Sequence, residues 1–154
     1  MTMRYVAQFI VGAMLAWITL SCAHYPRYQN HLPLNTKEFT DASGTYERWW
    51  KHAERCTGKR VPFRGVRMYL VVGSHDGFPY AGNVLAGLAY AQRGAVVLST
   101  DALFDSAVVI HEFVHLQASP EGHDPEYFQR RCAKVVVCNG HCLTDTLHPT
   151  GRWP

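Results

Sequence analysis

Asp105-Ser106-Ala107-Val108-Val109-Ile110-His111-Glu112-Phe113-Val114-His115-Leu116 is the stretch on which the reading of this chain turns. Asp105 and Ser106 are residue types that accept hydrogen bonds from the free N–H groups of a helix start, and Pro120 cannot continue a helix. Between them Val109, Ile110, Phe113, Val114 and Leu116 fall on one side of a helical wheel. His111, His115 and Val108 fall on another, with Glu112 at its edge. Histidines four apart lie one turn above each other on the same face, so both imidazoles can reach one metal ion. Glu112 projects about 100° round from His111, where it misses the ion and still touches a water held on it. The apolar stripe is suited to a core, and the ligand face is kept polar.

The spacing is the HExxH pattern of zinc hydrolases, in which the glutamate is the general base. A catalytic zinc takes three protein ligands and keeps one position open. Downstream, Ser119-Pro120-Glu121-Gly122 reads as a turn and His123 follows it. Asp124-Pro125-Glu126 then has the chemistry of a helix start: a capping Asp, Pro at the first helical position and an acid in the first turn. Tyr127, Phe128, Arg131, Cys132 and Val135 carry that helix to about Val137. His123 thus stands before a helix that turns back on the first, a good position for a third ligand. Glu126 is the alternative, with His141 and His148 more remote. Asp101, Asp105 or Asp124 is placed to orient a ligand histidine through its second nitrogen. Tyr127, Tyr90 and Tyr80 are candidates to steady a developing oxyanion, Tyr127 being nearest in the chain.

Upstream, Ala95–Thr100 and Val66–Val72 read as strands. Gly73 to Gly94 is rich in glycine and aromatics and reads as a loop with a hairpin. Thr45 to Arg55 places Tyr46, Trp49, Trp50 and Ala53 at helical spacing, with Ser43 or Thr45 as cap and Gly58 beyond its end. Helices and a short sheet together predict a small α+β domain over residues 43–145, with a tail over 146–154.

The N-terminus is expected to lie outside that fold. Arg4 is its only charge, and Val6 to Leu20 is an apolar run too short for a comfortable membrane span. Residues 1–21 therefore read as a signal peptide. Ile18-Thr19-Leu20-Ser21-Cys22 resembles a bacterial lipobox, with Thr19 where Leu is usual. The resemblance implies lipidation of Cys22, a membrane attachment through that N-terminal lipid and, with Ala23 next, an outer-membrane lipoprotein of the cell envelope facing the periplasm. Residues 22–42, with two prolines and no period, would be the tether.

Export gives the other cysteines an oxidising compartment. Cys56, Cys132, Cys138 and Cys142 suggest two disulfides. Cys56 with Cys132 is favoured, because it would tie the first helix to the one after the motif and close a long loop. Cys138 with Cys142 then forms a local loop; a second metal site from Cys138, His141 and Cys142 is the competing reading. The 154 residues carry 15 Lys and Arg against 12 Asp and Glu, a net +3 with no basic block longer than a pair, so no nucleic-acid partner is expected.

His111-Glu112-Phe113-Val114-His115 followed by Gly122-His123-Asp124-Pro125-Glu126-Tyr127-Phe128 resembles the compact zincin metallopeptidases, most nearly the SprT-like and related minimal groups. That resemblance implies a zincin-like domain with Zn²⁺ on His111, His115 and His123. It also implies peptide or protein substrates and an edge strand before the motif helix, at residues 96–99, that holds an extended peptide by strand addition. Seven residues separate His115 from His123, where metzincins have five, and no Met-turn is evident. The alternative function is a metal-binding or interaction lipoprotein domain without catalysis.

Overall fold

The computed structural model describes residues 31–120 and 122–138. The expectations for the signal peptide, Cys22, Glu121, His141, Cys142, His148 and the tail lie outside the described residues. The fold is α+β, and its compact unit begins at Leu32. In chain order it contains β1 (Thr36–Phe39), α1 (Thr45–Thr57), β2 (Arg67–Val71), β3 (Phe78–Tyr80), β4 (Asn83–Leu85), β5 (Gly87–Tyr90), β6 (Ala95–Ser99), α2 (Ser106–Ala118) and a π-helical segment (Glu126–Arg131).

The four-stranded sheet runs β1-β2-β6-β5. β2 and β6 are parallel at its centre, and β1 and β5 lie antiparallel on the outside. Side chains alternate across the sheet. Met68, Val96 and Leu98 face the main core with Tyr46, Trp50 and Ala53 of α1 and Val109, Ile110, Phe113 and Val114 of α2. Tyr69, Val71, Ala95 and Val97 face the other way, into a second cluster with Phe78, Tyr80 and Leu85 of the β3–β4 hairpin.

Trp50 is the pin of the main core. It stacks edge-on to Phe113 at 5.0 Å, and its indole N–H donates to the Val61 carbonyl at 2.6 Å. Thr57 and Gln117 join α1 to α2 by a buried hydrogen bond of 3.0 Å, and Gln117 Nε2 donates to the Trp50 carbonyl at 3.3 Å. A buried pairing of this kind fixes the register of two helices, because slipping either one leaves polar groups without partners.

Four sequence expectations need correcting. The fold starts before Ser43: residues 36–39, read as tether, pair with Met68–Val71. β6 is not an edge strand, since β2 and β5 flank it, and the edge beside α2 is β5. The N-cap position of α1 is Gly44 rather than Ser43 or Thr45; Asp41 accepts the Tyr46 amide at 2.6 Å, and the Ser43 hydroxyl, one residue further out, accepts the Thr45 amide at 3.3 Å. The segment after His123 does not run as a regular helix to Val137. It widens into a π-helical turn, with the Cys132 amide reaching Tyr127 at 2.8 Å, and ends near Cys132.

Cys56 and Cys132 form a disulfide, Cα to Cα 5.1 Å, across 76 residues of chain. Cys138 is also disulfide-bonded. Closing so long a loop restricts the unfolded chain strongly. Replacing Cys56 and Cys132 together by alanine is expected to lower stability by about 4 kcal/mol. Denaturant unfolding of the variant beside the wild type measures this, and equal midpoints would show that the bond contributes nothing.

Candidate metal centre

Three imidazoles meet above the α2 surface. His111 Nε2 lies 3.2 Å from His115 Nε2 and 2.9 Å from His123 Nε2, and His115 Nε2 lies 3.3 Å from His123 Nε2. They form a group that could hold a metal ion. α2 presents the first two because its cap and register are secure: the Asp105 carboxylate accepts the Ala107 and Val108 amides at 2.9 and 3.3 Å. His123 is brought over them by the turn that follows. Ser119 builds this turn; its hydroxyl donates to the Gly122 carbonyl at 3.0 Å and accepts the Asp124 amide at 3.2 Å. Asp124 then caps the next segment by accepting the Glu126 amide at 2.9 Å.

The outer nitrogens of two rings are spoken for. His111 Nδ1 is 3.0 Å from the Val137 carbonyl and His115 Nδ1 is 2.8 Å from the Ser119 carbonyl. A carbonyl only accepts, so each Nδ1 carries the proton, and each Nε2 turns a lone pair inward. Backbone carbonyls therefore orient these rings. Asp101 instead faces His75, and Asp105 and Asp124 are caps.

Phe128 is the floor of the site. Its buried ring lies 4.8 Å from His111, 4.7 Å from His115 and 4.7 Å from His123, centroid to centroid. An apolar wall closes one side to water and limits how far the three rings can turn. Burial, followed by the neighbouring His115 and His123, pulls the His111 pKa down to about 3, against an upward pull from the Val137 carbonyl. The ring is neutral at physiological pH, the form that ligates a metal.

Do these groups fit a divalent ion? Ligand atoms about 2.0–2.1 Å from a tetrahedral ion stand about 3.4 Å apart. The separations of 3.2 and 3.3 Å meet this closely, and the one of 2.9 Å needs only a small ring movement. The lone pairs of His111 and His115 converge on one point beside His123 Nε2, where a cation would hold all three rings together. The donor set fits a metal.

Glu112, the residue after His111 on α2, is buried against β5 at Gly87. Burial pushes its pKa up to about 8, and a hydrogen bond from the Ala89 amide pulls it back down. A nearby cation would lower it further. Glu126, the alternative ligand, is exposed beside Arg130 at 3.4 Å and outside the cluster. Tyr127 packs on the main core. Tyr80 and Tyr90 pack together in the second cluster, on the sheet face away from α2. Sequence reasoning missed the site roles of Phe128 and Ser119; only Phe128 left a trace, as an aromatic five residues after His123. Set against known proteins, the chain matches no family, no curated protein and no solved structure.

Proposed function

We propose that this chain is a zinc-dependent hydrolase of peptide or protein substrates, with His111, His115 and His123 holding the ion and Glu112 as general base. The observation that carries the reading is the convergence of three imidazole Nε2 atoms within 3.3 Å of one another, with a buried carboxylate on the next residue of the same helix. Three nitrogen ligands are the set of a catalytic rather than a closed structural zinc site. When bound, the ion would polarise a substrate carbonyl and make water easier to deprotonate.

The chain's own residues do the rest. Glu112 takes up a proton and returns it to the departing amine. A carboxyl group whose affinity for protons is raised by burial, and lowered again by a neighbouring cation, is suited to both transfers. Phe128 keeps one side of the site dry. β5 supplies an edge: Ser99 N–H donates to the Ala86 carbonyl, so residues 86, 88 and 90 turn their main-chain groups towards β6, and 87 and 89 turn theirs outward. With the Ala89 N–H taken by Glu112, the main-chain groups of Gly87 and the Ala89 carbonyl are left for an extended peptide, which would run beside Glu112.

The test is metal analysis beside digestion of a peptide library. One zinc per chain is expected, with cleavage lost to a chelator and restored by zinc. Bound metal without cleavage would instead make the protein a metal-binding module, and absence of stoichiometric metal would remove both readings.

A further inference from the structure

Gly87 has no conformational reason to be glycine. It is a strand residue paired with Leu98, and its φ lies outside the left-handed range that glycines at 73, 77, 82 and 94 occupy. What it lacks is room. A Cβ built there would fall 2.8 Å from both Cγ and Oε1 of Glu112 and 3.0 Å from Cδ. Real Cβ atoms do not approach other groups so closely, and glycine inside a strand often marks such an approach. Two residues on, Ala89 lies on the same face of β5, and its amide points outward from the sheet, without a strand partner. That N–H donates to the Glu112 carboxylate.

We propose that β5 is the seat of the general base, in which Gly87 makes room for the Glu112 side chain and the Ala89 N–H holds its carboxylate. This rests on the reading of Glu112 as base, and it assigns Gly87 and Ala89 as positioning residues. The seat explains how a flexible glutamate, one residue from a ligand histidine, keeps one orientation. Its neighbours on α2 cannot do this, because Phe113 is turned into the main core and His111 towards the other imidazoles.

Gly87→Ala in the full chain tests the seat in two independent ways. In the zinc-loaded protein, kcat is expected to fall about 100-fold, the cost of moving a reacting group by about an ångström, while KM and zinc content stay within about twofold. In the metal-free protein, the same change is expected to lower Tm by about 5 °C or more. In a Glu112→Ala background, which removes Cγ and the carboxylate, the added Cβ has space, and Tm should move by no more than about 1 °C. Should Gly87→Ala alone fail to fold, recovery of folding in the Glu112→Ala background reads the same coupling. Equal loss of Tm in both backgrounds would overturn the seat, as would unchanged kcat in an active enzyme. A protein that hydrolyses nothing would remove the hydrolase reading, and the thermal coupling would still decide whether Gly87 accommodates Glu112.

Discussion

Glu112→Gln should leave the metal bound and reduce turnover by about 10³-fold or more, the upper part of what a positioned general base contributes. The amide has nearly the size and shape of the carboxylate. It fits the space opposite Gly87, and its oxygen still accepts from the Ala89 N–H. What it loses is the capacity to take a proton at neutral pH. None of the three imidazole nitrogens is touched, so zinc content and affinity should match the wild type. Paired kcat and metal measurements check both halves, and a mutant that cleaves as fast as its parent would remove Glu112 from the chemistry.

The same substitution carries a stability signature in metal-free protein. The folded-state pKa of Glu112, about 8, lies above its ordinary value of 4.5. Between those two values the folded state binds more protons than the unfolded state. Stability from this group is therefore full below about pH 4.5 and declines as pH rises through about 8. Glutamine does not titrate. The difference in stability between Glu112→Gln and wild type should grow across that window in favour of the variant, as denaturant titrations at several pH values would show.

What the sequence disclosed was local, and what it hid depended on register. α2 was legible because cap, apolar stripe and ligand spacing occupy one continuous segment and agree. His123 was legible because Asp124-Pro125 forces a new start directly after it. β5 was not, since its four residues include a glycine and have no strong strand chemistry. Its place at the edge follows only from pairing with residues 95–98. β6 did carry a usable signal: Ala95–Ser99 is buried at every position, and a continuous apolar run belongs to an interior strand rather than an edge. Gly87 was silent because its value lies in contact with a side chain 25 positions away. The π-helical turn was equally silent, because one extra residue in a single turn barely alters an apolar pattern. The Cys56–Cys132 bond was favoured from element order and loop length, and the two elements do meet.

His123→Ala should weaken zinc binding by on the order of 10²-fold or more. Structural zinc sites with four ligands gain about 10–16 kcal/mol, or about 3 kcal/mol for each ligand, and about 1.4 kcal/mol corresponds to one decade of affinity. His123 also does more than donate a nitrogen. It is the ligand that does not come from α2, so it joins the turn built by Ser119 to the helix and completes the ring of imidazoles around Phe128. Without it, His111 and His115 remain oriented by the Val137 and Ser119 carbonyls and form a two-ligand site that holds zinc weakly. Glu126→Ala is the matching control. That carboxylate is exposed and pairs with Arg130, so its removal should leave affinity within about twofold of wild type. Competition against a chromophoric chelator compares the two variants directly. Equal weakening in both would restore Glu126 as a ligand, and an unchanged His123→Ala would reduce the site to the two histidines of α2, too few to hold a catalytic zinc.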